Sequence, residues 1–270
     1  MKQPGGKAFF TIVYQDDSLA ALNKSAHIAV RADRWDDSKE RLDQLAEAAL
    51  GVPKLYMVHR IDKDTSGLIL FAKDSGTHKI FSLMFEERLI HKRYIAAVQG
   101  RPSWKETSCD LPLVPNGNKQ HLTIIDKFRG KASLTAFRLL GSAGNYSIIE
   151  ARPHTGRTHQ IRVHLAALGH PVICDDLYGR SSKPVKLSSF KRNWQGDPAE
   201  ERPLISRLGL HAMDLFIPGY TPPGVYVPGD SALEGLHLRA PLPRDLGALV
   251  KQMEKASGSS IIELIENLSP

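Results

Sequence analysis

Two short segments hold most of the residues that could do chemistry. The first runs His59-Arg60-Ile61-Asp62-Lys63-Asp64-Thr65-Ser66-Gly67, between two apolar runs. Polar groups crowded at the end of a buried strand are a common site geometry, because the scaffold fixes them and the loop exposes them. An aspartate flanked by Arg60 and Lys63 tends to stay ionised beside those cations. An ionised carboxylate serves as nucleophile or base. The same residues are also good turn formers, and their spacing does not choose between Asp62 and Asp64.

The second segment is Arg152-Pro153-His154-Thr155-Gly156-Arg157-Thr158-His159-Gln160-Ile161-Arg162-Val163-His164. Gly156 and Thr158 can open a helix whose first amides face an anion. From Lys127 to Arg162 there are seven Lys or Arg and one acid, Glu150. This is the best local candidate for a phosphate-binding surface, although a solvated basic helix face has the same composition. His154, His159 and His164 recur at steps of five, which turn about 140° around a helix, whereas metal-binding pairs sit four apart on one face. No metal is expected. Tyr94, in Lys92-Arg93-Tyr94, reads on spacing alone as a packing residue with its hydroxyl at a rim. No GxGxxG, Walker or GxSxG motif occurs, so no nucleotide or other cofactor is implied.

Positioning these residues needs a scaffold. Phe9–Tyr14 and Leu19–Asn23 read as a hairpin around Asp16-Asp17-Ser18. Ser38–Leu50 reads as a helix, with Asp37 and Glu40 resembling a capping box. Gly67–Ala72 is a buried-strand run. Asp74 caps a helix to about Arg88, with Ile80, Leu83 and Met84 on one face. Further strands are expected at Arg93–Gln99, Ala132–Leu140, Tyr146–Ala151 and Gly209–Ile217. Further helices are expected at Arg157–Leu168 and from Arg244 to about Lys255. Residues 102–120 and 180–202 read as long loops. Hairpins outnumber βαβ units, so the expected class is α+β, with a mixed, mostly antiparallel central sheet and flanking helices. No linker divides the chain. It is read as a tail over 1–8, one domain over 9–256 and a tail over 257–270.

Composition bounds the function. The 270 residues are 41% hydrophobic and 24% charged, which suits a folded chain with a real core rather than a disordered one. Lys and Arg number 36 against 29 Asp and Glu, a net of +7, which suits nucleic acid or another acidic partner. No apolar run approaches a membrane span. The N-terminus has no secretory pattern. The two cysteines form no disulfide or zinc motif, so a reducing, cytoplasmic setting is expected.

Recognition goes further than spacing. His59-Arg60-Ile61-Asp62, followed by Thr65-Ser66-Gly67-Leu68, resembles the catalytic motif of the RluA-type pseudouridine synthases. Thr155 to Leu165 resembles that family's second long motif, continued by Gly169-His170-Pro171-Val172 and by Asp175, Leu177, Tyr178 and Gly179. Leu210-His211-Ala212 matches a third, and Asp17–Lys24 resembles the opening hairpin. The resemblance implies a fold with a central RNA-binding cleft and a cofactor-independent isomerisation of uridine in rRNA or tRNA. The C1′–N1 bond breaks, the uracil turns, and C5 joins C1′. It implies Asp62 as the essential carboxylate, acting by attack on the sugar or by removing the C2′ proton. Arg162 pairs with that Asp62 carboxylate, Tyr94 stacks on the target base, and Val163 lines the uracil pocket. Arg60 fills the gap left by the flipped base, with His59 and Arg157 as support and phosphate contacts.

Departures are few. Ile61 replaces the family's usual Leu and Asp176 its Pro, while Ser25 and His27 stand where Pro and Gly are usual. The family's small N-terminal RNA-binding domain is not expected here. The expected partner is a structured RNA stem-loop, with no membrane and no obligate protein partner. A catalytically silent RNA-binding module and an enzyme for another acidic substrate are the competing readings. The first survives loss of Asp62; the second shows no steep salt dependence on RNA.

Overall fold

The computed structural model describes residues 8–31, 40–115, 122–179, 183–191, 193–220 and 235–267. In chain order the strands are β1 (Phe10–Gln15), β2 (Leu19–Lys24), β3 (Tyr56–Met57), β4 (Ser66–Ala72), β5 (His91–Gln99), β6 (Glu106–Cys109), β7 (Leu113–Pro115), β8 (Thr123–Ile125), β9 (Thr135–Ala143), β10 (Tyr146–Pro153), β11 (Val185–Lys186), β12 (Pro203–Ile205), β13 (Leu210–Pro218) and β14 (Gly235–Arg239). The helices are α1 (Leu42–Leu50), α2 (Ser75–Glu86), α3 (Gln160–Ala167), α4 (Arg244–Ser257) and α5 (Ile261–Asn267). The described residues cluster into two compact units, one drawn from 1–92 and 212–241, the other from 93–211 and 242–269. The boundaries at 92–93 and 211–212 fall inside β5 and β13, so composition marks no division there.

In the first unit, β2 pairs antiparallel with β1 and with β4, β3 pairs with β4, and β14 with β13. An isolated bridge from Ala29 to Arg41 runs parallel. Every residue of β4 is buried, as expected of a continuous apolar run. Its core partners include Leu19, Ala21, Phe81, Leu215 and Ile217. In the second unit, β10 lies between β5 and β9, β6 adds to β9, and β7–β8 and β11–β12 form short ribbons, all antiparallel. Ile161 and Leu165 of α3 pack with Val98, Phe137, Ile149 and Val172. These pairings agree with the α+β expectation.

Several boundaries move. Helix α1 begins at Leu42, after Arg41 in an extended conformation with no side-chain cap; Asp37 of the expected capping box lies outside the described residues. Asp74 does cap α2, accepting the Thr77 amide at 2.9 Å. Phe81 is its buried residue and Met84 packs against the same core, while Ile80 and Leu83 are exposed, because a periodic stripe gives the spacing of a face but not which of two adjoining faces meets the sheet. Residues 102–120 contain β6 and β7, and residues 180–202 contain β11 and a short 3-10 turn. Strands this short are set by their partners rather than by local pattern. The stretch expected as a C-terminal tail contains α5, with Ile261 and Ile265 fully buried. The Ile265 carbonyl accepts a hydrogen bond from Arg93 Nη2 at 3.0 Å, which ties α5 to the strand that carries Tyr94.

Candidate active site

In the first unit, the segment before β4 is pinned at successive points. Ile61 is buried. The Thr65 amide donates to the Asp62 carbonyl at 3.1 Å. Lys24 is fully buried and donates from Nζ to the carbonyls of Ser25 (2.9 Å), Ile28 (3.1 Å) and Lys63 (2.8 Å). A buried ammonium is tolerated only when its donors are satisfied, so these carbonyls fix both Lys24 and the turn holding Asp62. Gly67 has φ +113, and a Cβ there would lie 2.1 Å from the Ala212 carbonyl oxygen, so only glycine fits. Asp62 is half-buried and Arg60 exposed. Asp64 Oδ1 accepts a hydrogen bond from His27 Nδ1 at 2.9 Å. His27 itself has φ +67, taking without glycine the left-handed turn that the family usually gives to Gly.

His59 is a supporting residue. The Leu70 amide donates to its Nε2 at 3.0 Å, and its ring stacks on Phe85 at 4.6 Å between centroids. That hydrogen bond requires an unprotonated Nε2. Burial of the ring, with the positive charge of Lys92 nearby, pulls its pKa down to about 3. Lys92 is in turn pulled down to about 8 by burial and by Arg88.

In the second unit, residues 160–165 of α3 are all buried, so the polar side chains of the motif must find partners inside the protein. Gln160 is saturated. Its Oε1 accepts from the Thr155 hydroxyl (2.7 Å) and the Arg157 amide (3.0 Å), and its Nε2 donates to the Leu134 carbonyl (3.0 Å) and Thr135 Oγ1 (2.9 Å). The Arg157 amide is therefore engaged, and the helix opens at Gln160 rather than Arg157, after His159 at φ +54. Gly156 and Thr158 therefore precede the helix instead of opening it. His164 meets Thr135 Oγ1 at 3.0 Å and the Leu111 carbonyl at 3.0 Å. His159 meets the Tyr178 hydroxyl at 2.9 Å.

Arg162 makes a bidentate pair with Asp175, Nε to Oδ2 at 2.8 Å and Nη2 to Oδ1 at 2.7 Å, with both residues buried. Burial alone would raise the Asp175 carboxyl. The hydrogen bonds and charge of Arg162, with the amides of Leu177 and Tyr178, hold it below the ordinary carboxylate range. The Arg162 guanidinium also lies 5.2 Å from the Tyr178 ring centroid, and the Tyr178 hydroxyl accepts the Thr123 amide at 2.7 Å. Val163 is buried, Arg157 half-buried with Nε donating to the Ala132 carbonyl at 3.2 Å, and Tyr94 half-buried on β5 opposite Ala151. The expected residues thus divide by unit: His59, Arg60 and Asp62 in the first, Tyr94, Arg157, Arg162 and Val163 in the second.

Residues 18–167 match the model of a protein family described as RNA pseudouridylate synthase. The chain belongs to this family. The Zymomonas mobilis ribosomal large subunit pseudouridine synthase D is 38% identical over 186 residues, covering 64% of this chain and 56% of that protein. The Vibrio cholerae dual-specificity RNA pseudouridine synthase RluA is 32% identical over 216 residues, covering 78% of each. The chain thus spans little more than half the length of some relatives. Human RNA pseudouridylate synthase domain containing 4 shares the fold, with a TM-score of 0.66 at 24% identity over 90% of this chain and 92% of that one.

His59, Arg60, Asp62, Tyr94, Arg157, Arg162 and Val163 lie inside the span matched to the pseudouridylate synthase family, whereas the motif residues from Gly169 to Ala212 lie beyond it. Lys24 was missed as a positioning residue, because a lysine read from sequence defaults to the surface. Asp175 was seen only as part of a motif; a partner thirteen residues from Arg162 has no local signature. Asp175→Asn should leave a buried guanidinium without its counter-charge and destabilise the chain by on the order of 3 kcal/mol, read by urea unfolding at neutral pH. Wild-type stability there would show that the pair carries no weight. His59 supplies a pH test. Its folded pKa lies below the unfolded 6.5, so the unfolded chain binds the extra proton and the stabilisation from neutral His59 is complete above about pH 6.5. The stability gap between wild type and His59→Gln should shrink as pH falls from about 6.5 towards 3. A constant gap would contradict a neutral, engaged ring.

Proposed function

We propose that the chain is an RNA pseudouridine synthase acting on uridine in structured rRNA or tRNA in the cytoplasm. The observation that carries this reading is the family match across 18–167, which contains the whole reactive set in one span. The two competing readings give no reason for Asp62, Tyr94 and Arg162 to occur together in their motifs. The relatives' names specify RNA pseudouridine synthases, and the basic balance of +7 suits a polyanionic substrate.

In this reading Asp62 is the essential carboxylate, on a turn whose backbone Lys24 and Gly67 restrict. Tyr94 stacks on the target base, Arg162 supplies the cationic partner that keeps carboxylate chemistry oriented, and Val163 borders the uracil. Arg60, exposed on the first unit, takes the space of the flipped nucleotide, and Arg157 meets phosphate. The reaction balances within the substrate: C1′–N1 breaks, C1′–C5 forms, the C5 proton leaves and N1 gains a proton. No oxidant, reductant or cofactor enters. His59 supports the segment rather than meeting substrate.

Tritium release from RNA labelled at uridine C5 tests this reading. Wild type should release label, and Asp62→Asn should lose at least about a hundredfold in rate, with unchanged urea unfolding. No release by wild type from total rRNA or tRNA contradicts the enzyme reading. Equal release by the variant contradicts the role of Asp62.

A further inference from the structure

Phe128 is 99% exposed, on the turn that follows β8 in the second unit. A lone exposed apolar side chain is ordinary; its setting here is not. The turn is tied at many points. Asp126 Oδ1 accepts the amides of Phe128 and Arg129, each at 2.9 Å, and Oδ2 accepts Arg129 Nε at 2.9 Å. The Gly130 amide donates to the Asp126 carbonyl at 2.8 Å, and Asp126 donates to the Pro112 carbonyl at 3.1 Å. Lys131 and Leu113 exchange both backbone hydrogen bonds, at 2.8 and 3.0 Å. Gly130 packs so closely that a Cβ would lie 2.3 Å from the Asp126 carbonyl oxygen. The phenyl ring is therefore presented to solvent on a backbone with little freedom left to lose on binding.

Cations flank Phe128 along the turn. Lys127, Arg129 and Lys131 are all exposed, against the single carboxylate of Asp126, which its hydrogen bonds from Arg129 and Phe128 hold below the ordinary range. The carbonyl of Ala132, next along the chain from Lys131, accepts the hydrogen bond from Arg157. The tip thus adjoins a residue proposed above to meet phosphate. An aromatic face between cations is the arrangement that holds single-stranded nucleic acid, with the ring stacking on a base while the cations follow the backbone.

We propose that Phe128 is a stacking platform for an unpaired base of the RNA substrate, with Lys127 and Lys131 on the flanking phosphates. The proposal rests on the RNA-binding part of the reading above and not on its catalytic part. The test is affinity of the full chain for three probes: a short single-stranded RNA of mixed sequence, a hairpin with an unpaired loop, and a fully paired duplex. Phe128→Ala should weaken the first two about tenfold and leave the duplex unchanged. Phe128→Trp should restore affinity. The loss should be the same at each salt concentration, because stacking releases no counterions, whereas Lys127→Ala should lower the salt slope by roughly 0.7. At saturating RNA, tritium release by Phe128→Ala should equal wild type, so the defect lies in KM and not in kcat. Failure of tritium release in wild type, with the binding pattern intact, would sink the enzyme reading and leave this one standing. Unchanged RNA affinity in Phe128→Ala overturns it, as does a defect that Trp does not rescue. If that variant keeps RNA affinity but sediments as a smaller species, the tip docks protein, and the RNA proposal is likewise overturned.

Discussion

The Arg162–Asp175 pair organises the second unit. A guanidinium removed from water is costly unless its donors meet acceptors of matching geometry. Both charge-assisted bonds run from α3 to the segment after Cys174, so the helix and that segment are fixed together. From there order spreads outward. Asp175 also accepts the amides of Leu177 and Tyr178, and Tyr178 reaches Thr123 on β8 and His159 before α3. Arg162 is thereby oriented by the protein's own carboxylate.

The first unit applies the same constraint with a neutral kind of acceptor. Lys24 Nζ donates to three carbonyls, and one of them belongs to the residue after Asp62. Asp214 repeats the theme, buried and met by Arg239 Nε at 2.6 Å and His237 Nε2 at 2.8 Å. Inner charges in each unit are matched locally, while exposed cations such as Arg60, Lys127 and Lys131 stay outward. The net positive charge of the sequence is thus two populations, one structural and one facing solvent.

Much of this was legible in the sequence, and the failures have physical causes. The first hairpin, β4, the Asp74 cap and the helix after Pro243 follow from periodicity and capping chemistry. The face of α2 did not, since Ile80, Phe81, Leu83 and Met84 offer two adjoining apolar stripes and only the sheet decides between them. The start of α3 was misjudged because His159 takes a left-handed conformation that favours glycine. In the candidate site, motif resemblance selected Asp62 over Asp64, which spacing could not do. The basic run 127–162 read as a phosphate surface, yet Arg162 and the Arg157 amide are used internally, and Phe128 drew no attention because one aromatic in a turn has no pattern.

Under the proposed function, Asp62 carries the isomerisation of particular uridines in cellular RNA. Its most direct measurement is a map of pseudouridine across all RNA of cells lacking the chain, then resupplied with wild type or with Asp62→Asn at equal abundance. One or a few uridines should lose modification in the deletion, regain it with wild type and stay unmodified with the variant. A map that does not change on deletion, or that the variant restores as well as wild type, would contradict it.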